Sequence, residues 1–199
     1  MDKLKLKEIA SIQMGYAFRS RLELDNQGNV NVIQMKDIKG NGVIDLTELT
    51  RVNIPYIKEH HWVKDNDIIL RSRGRTTTSA IVKNAFNILI VTAPLLVIRT
   101  NSNLILPAYL AWFINQPSSQ IYLSSHARGS SVLMVSIEAV SLLEVILPSL
   151  GLQRKVVELS NLADKEQELL KLLAAKRQQY INRVLMQMTK KGIEGENNG

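Results

Sequence analysis

The segment from Leu152 to about Met188 contains neither proline nor glycine, the two residues that most strongly oppose a helix. It is rich in Leu, Ala, Lys, Gln, Glu and Arg, which lose little conformational freedom on entering a helix. The sequence therefore predicts one continuous α-helix, roughly 55 Å long at 1.5 Å per residue. Because helices of globular domains average about 11–12 residues, we expect this one to join two partners or hold them apart.

Apolar or small side chains recur along this segment at steps of three and four residues, the pattern of a coiled-coil seam. The candidate dimerisation residues are Val156, Leu159, Ala163, Leu170, Leu173, Tyr180 and Val184. A lone amphipathic helix exposes such a stripe until a partner covers it. We therefore expect the helix to pair with another helix.

The rest of the chain predicts a mixed globular domain without regular β-α-β alternation. Short strands are predicted near residues 30–35, 68–70, 80–82, 88–92, 95–98 and 144–147. Pro107 and Pro117 suit the first positions of two helices, and Ser136 can cap a third. The fold class is thus α+β, with a globular domain at 1–149, a long coiled-coil helix at 150–188 and a disordered tail at 189–199.

Composition narrows the functions further. The net charge of +7 favours a polyanionic or acidic partner, although a solvated basic surface would give the same balance. The chain has no cysteine, which excludes disulfides, thiolate metal sites and cysteine nucleophiles. No apolar stretch reaches the 18 or more residues of a membrane span, and the polar N-terminus does not predict a signal peptide. We expect a cytoplasmic protein with no membrane partner.

Familiar catalytic motifs are not found in the sequence. It has no phosphate-binding loop and no complete G-x-G-x-x-G motif. His60, His61 and His126 have no carboxylates near them at metal-binding spacing. Asp65 and Asp67 form a possible acid pair for a nuclease, but they flank Asn66 in a turn-forming cluster and are better interpreted as turn residues. We expect no catalytic residue, metal or cofactor in this chain.

A basic segment is the first candidate for binding. It comprises Arg71, Arg73, Gly74, Arg75, Thr76 and Thr77. In an extended chain its three arginines share one face, where guanidinium groups suit phosphates or guanine edges. The threonine hydroxyls add phosphate contacts, and the glycine permits close backbone approach. The alternative is a solvated turn with unrelated arginines, but three adjacent like charges repel when no anion is present, which favours a binding function.

Two further basic segments have similar composition. Arg128, Ser130 and Ser131 form one, in a predicted loop. Arg19 and Arg21 form the other, just after an aromatic pair, and an exposed loop explains it equally well. Both are candidate DNA-binding segments.

Five ordered motifs resemble the DNA-specificity (S) subunits of type I restriction-modification systems over about residues 3–185. They lie at residues 3–20, 32–38, 63–74, 106–115 and 129–157. The run V-K-D-N-D-I-I-L-R-S-R-G, for example, is similar to the family's acidic turn, apolar strand and basic glycine segment. Lys36, in the motif V-I-Q-M-K-D-I, joins the candidate DNA-binding residues. Given the resemblance, we expect Arg73 or Arg75 to read a base.

The resemblance implies a non-catalytic subunit whose target recognition domain binds a specific sequence of double-stranded DNA. Methylation is then expected from a methyltransferase subunit carrying S-adenosylmethionine, and a restriction and translocase subunit can join the complex. Family members usually carry two recognition domains and two long helices, whereas this chain has one of each and looks like a half-size form. The resemblance therefore implies a homodimer through antiparallel long helices on a two-part target.

Two other functions are compatible with the sequence. One is a coiled-coil adaptor that recruits proteins and whose basic surface is incidental. The other is a small nuclease using Asp65 and Asp67. DNA sequence preference separates the first from a specificity subunit, and Mg²⁺-dependent cleavage would reveal the second.

Overall fold

A computed structural model of the chain describes residues 2–18, 25–39, 42–74, 77–85 and 88–196. The chain divides into two compact units, Met1–Arg154 and Lys155–Gly199. We name the first unit the head and the second the helical unit. Within the described ranges, no helix is both long enough and apolar enough to cross a membrane.

A four-stranded antiparallel sheet lies at the centre of the head. Its strands are β2 (Ala10–Met14), β5 (Ile68–Arg71), β6 (Ser79–Ile81) and β8 (Leu95–Thr100), in the spatial order β2-β8-β5-β6. All neighbouring strands run antiparallel. The sheet therefore brings the end of β5, where the predicted basic segment begins, next to the start of β8.

A second, three-stranded sheet packs against the first. Its central strand is β3 (Val30–Ile33), which runs antiparallel to β4 (Thr50–Val52) and parallel to β7 (Leu89–Val91). Every residue of β3 is buried, because apolar side chains cover both faces of this sheet. Strands buried on both faces have continuous rather than alternating apolar residues, which fits the sequence of β7, whereas β3 includes the buried polar residue Asn31.

The core between the two sheets consists of side chains from both. Its buried members are Ile33, Ile38, Val63, Ile69, Ala80, Val82, Leu89, Val91, Leu95 and Val97. On the outer face of the three-stranded sheet, Val30, Val32, Val52 and Ile90 form a second buried cluster. The head thus has a hydrophobic core of its own.

The two ends of the head are joined by a third, two-stranded sheet. Strand β1 (Asp2–Lys5) pairs antiparallel with β9 (Glu144–Leu147). The short helix α1 (Leu6–Ile9) follows β1, and the backbone N–H of Leu6 donates to the Leu143 carbonyl at 2.9 Å. This pairing closes the domain before the long helix begins.

Three helices complete the head close to their predicted positions. Helices α2 (Pro107–Ile114) and α3 (Pro117–Ser125) each begin at proline, and α2 packs against β6. Helix α4 (Ile137–Ser141) is capped by Ser136, whose hydroxyl oxygen accepts the Ala139 N–H at 3.1 Å. The predicted α+β class, with a long C-terminal helix, is confirmed.

The long helix α5 (Leu150–Glu196) begins in the head and continues through the helical unit. Gln153, near its start, is fully buried and donates from Nε2 to the carbonyls of Leu104 and Pro148 at 2.8 and 2.9 Å. We expected a disordered tail from residue 189, but the structure continues the helix to Glu196. The two glycines in this stretch weaken a helix by about 1 kcal/mol each without blocking it. Residues 197–199 lie outside the described ranges.

Candidate nucleic-acid interface

Two arginine segments that are far apart in the sequence lie side by side in the head. Arg73 and Arg128 each pair with Met134 in an antiparallel β-bridge. Met134 is therefore the middle residue of a three-strand ladder with an arginine on either side. We name residues 72–74, 128 and 133–135 the basic ladder.

Backbone hydrogen bonds fix one side of the basic ladder. The N–H of Arg128 donates to the Met134 carbonyl, and the N–H of Met134 donates to the Arg128 carbonyl, both at 2.9 Å. This reciprocal pair closes the loop at residues 129–133. The Cα atoms of such a hydrogen-bonded antiparallel pair lie about 5.5 Å apart.

The other side of the ladder joins this loop to the end of β5. The N–H of Gly74 donates to the Leu133 carbonyl at 3.0 Å, and the N–H of Val135 donates to the Ser72 carbonyl at 2.8 Å. These two bonds flank Arg73 and Met134, which form a non-hydrogen-bonded pair with a Cα separation of about 4.5 Å.

Directly paired residues of a ladder direct their side chains to the same face. Arg73, Met134 and Arg128 therefore share a face, and the two arginine Cα atoms lie about 10 Å apart. Both arginines are exposed, and Met134 is 43% exposed between them. The structure thus unites two of the predicted basic segments into one surface with an apolar centre.

The loop closed by Arg128 and Met134 is exposed throughout. Ser130 and Ser131 lie in it, as predicted. Gly129 has a φ of +137°, and a Cβ there would collide with the Val132 carbonyl oxygen, so the loop requires glycine at this position. Val132 and Leu133 are also exposed. The sequence analysis did not identify Val132, Leu133 and Met134 as part of the surface. The signal that could have identified them is three consecutive apolar residues directly after Gly-Ser-Ser.

Arg71 lies at the end of β5 and is half-buried. Its Nε is buried, and no acceptor among the described residues lies within hydrogen-bonding distance. The next side chain, Ser72, points inward and donates to the Pro94 carbonyl. A buried donor without an acceptor is unfavourable, so an anionic ligand would satisfy Arg71.

Among the described residues, the arginines of this surface form no ion pair with a carboxylate. Within the described ranges, the ion pairs join Lys3 to Glu144, Lys39 to Asp45 and Arg99 to Asp67. None of these pairs includes Arg71, Arg73 or Arg128. The surface can therefore attract an anion without first breaking an internal ion pair.

Gly74 and Thr77 differ in what they offer a ligand. Gly74 has a φ of +117°, and no described atom lies within 4 Å of where a Cβ would stand, so the backbone is open to close approach. Thr77 is buried, and its hydroxyl donates to Gln120 Oε1 at 3.0 Å, while Gln120 Nε2 donates to the Thr77 carbonyl at 3.0 Å. The expected phosphate contact from Thr77 is therefore replaced by a bond that holds this segment to α3.

Lys36 lies apart from these residues along the chain. It is exposed in a short 3-10 turn (Met35–Asp37) after β3, and its Nζ donates to Thr50 Oγ1 at 3.3 Å. Beside it, burial raises the pKa of Asp37, although the Gln34 backbone N–H counteracts this shift. The candidate residues Arg19, Arg21, Arg75 and Thr76 lie outside the described residues.

The two acids of the nuclease alternative are both used by the fold. Asp67 is 2% exposed and receives two hydrogen bonds from Arg99, from Nε to Oδ1 at 2.7 Å and from Nη2 to Oδ2 at 2.6 Å. The bond to Asp67 raises the pKa of Arg99 above its usual value. Asp65 Oδ1 accepts the Ala85 N–H at 2.6 Å. In the part of the chain that the structure describes, no group of three or more metal-ligating side chains could hold an ion.

A family model matches the chain over nearly the same residues as the sequence motifs. The family of the type I restriction modification DNA specificity domain matches residues 1–187. The chain belongs to this family. No curated protein matches the chain.

Solved structures share the fold of this specificity-domain chain. A structure from a study of complex assembly and conformational transition of the type I R-M system has a TM-score of 0.69 at 14% identity, covering 92% of this chain and 43% of that chain. The HsdS subunit from Thermoanaerobacter tengcongensis has a TM-score of 0.59 at 15% identity, covering 83% and 37%. The type I S subunit from M. genitalium has a TM-score of 0.54 at 12% identity, covering 84% and 40%. The specificity-domain chain thus spans about two fifths of the length of these structures.

The predicted dimerisation residues of the specificity-domain chain all lie on α5. Leu159, Leu170, Leu173 and Tyr180 are each more than half exposed, and Ala163 is exposed as well. Val156 and Val184 are half-buried. The helical unit therefore presents an apolar stripe that its own described residues do not cover.

Proposed function

We propose that this specificity-domain chain recognises a DNA sequence for a type I restriction-modification complex, and that the basic ladder is its reading surface. The observation that carries the proposal is the pairing of Arg73 and Arg128 with Met134. It turns two separate basic loops into one exposed surface without carboxylate partners among the described residues.

The spacing of the ladder suits the major groove, which is about 12 Å wide. Two arginines with Cα atoms about 10 Å apart can each reach a guanine edge or a phosphate. Met134 between them offers an apolar, polarizable surface of the kind that contacts a thymine methyl group. Arg71, whose Nε has no acceptor among the described residues, and the open backbone at Gly74 add an anion-binding site beside them.

Catalysis is proposed to lie in other chains. Asp65 and Asp67 are engaged in hydrogen bonds of the fold, which argues against their use as the acid pair of a nuclease. A methyltransferase partner carrying S-adenosylmethionine would modify a base turned out of the duplex. A restriction and translocase subunit is a further proposed partner.

The helical unit is proposed to pair with that of a second copy, antiparallel, because its apolar stripe needs a cover. Two identical heads would then read a palindromic, two-part target with an unread spacer. Inserting one helical turn into α5 should lengthen the preferred spacer. Binding selection on the wild type and the insertion variant measures this, and an unchanged spacer would reject the helix as a ruler.

DNA binding by single variants tests the reading surface. Arg73→Ala and Arg128→Ala should each cost about 1–3 kcal/mol if the side chain reads a base, with relaxed preference at one position. Lys7→Ala, which removes an exposed cation from α1, is the control and should change affinity little. Fluorescence anisotropy with a selected duplex at two salt concentrations, with the methyltransferase present, separates base reading from phosphate contact, since loss of a phosphate contact reduces the salt slope.

The adaptor alternative predicts a different result. An adaptor would show no sequence preference with or without a methyltransferase, and all three variants would behave alike. If Arg73→Ala and Arg128→Ala leave both affinity and sequence preference unchanged, the basic ladder is not the reading surface.

A further inference from the structure

Two opposite charges interrupt the apolar stripe of α5. Glu166 and Arg177 are exposed. Glu166 falls between Ala163 and Leu170 at the same three- and four-residue steps as the apolar residues, and Arg177 falls in the same way between Leu173 and Tyr180. Both charges therefore lie on the face that the proposed homodimer buries. On that face, each requires an opposite charge from the partner, because an unpaired buried charge is strongly destabilising.

Resting on the proposed homodimer, we infer that two copies pair antiparallel about a two-fold axis between Lys171 and Leu172. This register places Glu166 of each copy opposite Arg177 of the other, which creates two symmetric ion pairs within the apolar contact. It also places Leu170 opposite Leu173 of the second copy. The interface is self-complementary, as a two-fold contact must be.

Side-chain size supports the same register. Ala163 meets Tyr180 of the second copy, so the smallest residue of the stripe lies opposite the largest. Leu159 meets Val184 in the next layer outward. Facing positions that alternate small and large side chains fill an interface without voids. Every layer from Leu159 to Val184 is thus matched in charge or in volume.

A parallel pairing fails on charge. In a parallel dimer in register, Glu166 faces Glu166 and Arg177 faces Arg177. Like charges placed opposite each other across an interface cost several kcal/mol and suppress that arrangement. The two charges therefore specify the orientation of the helices.

Antiparallel pairings shifted by one heptad also fail. A shift in one direction places Glu166 opposite Leu170 and Arg177 opposite Leu159. A shift in the other direction places Glu166 opposite Val184 and Arg177 opposite Leu173. Each leaves four charges against aliphatic side chains without a partner. A polar residue in a seam selects register in this way at some cost in stability.

The inferred register determines the length of the paired segment of α5, which is the proposed ruler. Lys155 begins the helical unit and lies at the level of Met188 of the second copy. The two Lys155 positions are therefore separated by roughly 50 Å along the helices at 1.5 Å per residue. That length lies between one and two turns of B-DNA, at about 34–36 Å each.

Cysteine cross-linking tests the register directly, since the chain contains no cysteine of its own. We expect an oxidised mixture of Ala163→Cys and Tyr180→Cys chains to give a covalent dimer of one chain of each kind. Either variant alone should give none, because its two cysteines lie roughly 25 Å apart and a disulfide requires Cα atoms within about 7 Å. Intact mass spectrometry identifies each product.

Each alternative has its own product. Covalent dimers of Ala163→Cys alone or Tyr180→Cys alone indicate parallel helices and overturn the inference. A mixture of Ala163→Cys with Leu173→Cys reports a shift of one heptad, and a product there overturns the register. A solution mass showing only monomers rejects the proposed homodimer as well. A dimeric mass without the 163–180 product rejects the register alone.

Charge exchange gives an independent test. Glu166→Arg or Arg177→Glu alone should weaken dimerisation at least about tenfold, because each creates two like-charge contacts. The double variant Glu166→Arg/Arg177→Glu restores both pairs and should regain affinity to within about threefold of the wild type. Glu168→Arg and Lys171→Glu, which make the same changes off the stripe, are the controls. Single variants that dimerise like the wild type in sedimentation would overturn the ion pairs.

Discussion

The head and the helical unit use the same residue types in opposite ways. Leu70, Leu95 and Leu96 of the head are completely buried, whereas Leu159 of the helical unit is 70% exposed and Leu173 is 64% exposed. The head therefore buries enough apolar surface to hold its own fold. The helical unit leaves its leucines in water, which is the signature of an element that acquires its core from a partner.

The two regions also differ in the kind of side chain that lacks a partner. In the head, some buried polar side chains have hydrogen-bond partners, as Asp67 has in Arg99 and Gln153 in Leu104. Among the described residues, three buried side-chain atoms lack a hydrogen-bond partner: Trp62 Nε1, Arg71 Nε and Ser119 Oγ. Of these, Arg71 adjoins the basic ladder, whose arginines have no acidic partner among the described residues. An anionic ligand suits the head and an apolar one suits the helical unit, so each region is expected to bind a different partner.

Disrupting the helical unit should have the largest effect. Leu170→Lys places a charge at the centre of the apolar stripe in both copies of a dimer. Losing two buried leucines at about 1.5–3 kcal/mol each should weaken dimerisation by about 4 kcal/mol, on the order of 1,000-fold in Kd. Analytical ultracentrifugation measures the change, while the fluorescence of Trp62 and Trp112, both in the head, should not change.

The matched control is Leu172→Lys, two residues further along the same helix. Leu172 is also exposed, but helical periodicity places it on the opposite side from Leu170. This variant should keep the dimeric mass. Equal weakening by both substitutions would show that helix propensity or net charge is responsible, and would remove the distinction between a binding face and a solvated face.

A change in the buried polar core of the head should have a smaller effect. Asp67→Asn removes the charge that pairs with Arg99, whose side chain is 34% exposed. Breaking a fully buried pair costs about 3–5 kcal/mol, and the partial exposure of Arg99 reduces that to about 2 kcal/mol of the free energy of unfolding. Urea denaturation followed by tryptophan fluorescence measures the loss.

The neighbouring acid provides the comparison. Asp65→Asn leaves a side-chain oxygen that can still accept the Ala85 N–H on the exposed surface, so it should cost less than about 0.5 kcal/mol. Neither variant should alter the mass of the dimer. A loss for Asp65→Asn as large as that for Asp67→Asn would contradict the assignment of Asp67 and Arg99 as the buried pair of the core.

The sequence predicted the regular elements well where a local signal defined them. Proline at the first position located α2 and α3, and an unbroken run of helix formers located α5. Strand β4 was missed because its three residues include the exposed Arg51 and give too short a pattern. The continuation of α5 beyond residue 189 was not predicted because the polar, glycine-containing composition of the tail favours disorder.

The candidate site was predictable only in parts. Arg73 and Arg128 were found separately by composition, but their meeting depends on Met134, and local sequence contains no information about that long-range pairing. Thr77 looked like a phosphate ligand because its neighbours are basic, although its hydroxyl is bonded to Gln120 of α3. The exposed Val132 and Leu133 resembled core residues in the sequence.

Removing a single helix cap in the head should have the smallest effect. Ser136→Ala deletes the hydroxyl oxygen that accepts the Ala139 N–H, and loss of such a cap typically costs about 1 kcal/mol.

Because Ser136 follows Val135 of the basic ladder, the variant also tests whether α4 supports that surface. A stability loss of this size with unchanged DNA affinity would show that the ladder's own hydrogen bonds hold it in place. Weaker DNA binding by Ser136→Ala, at a temperature where the head remains folded, would show that α4 positions Met134 for its ligand. Thermal unfolding and anisotropy on the same samples distinguish these outcomes, and Ser141→Ala, at the other end of α4, is the matched control.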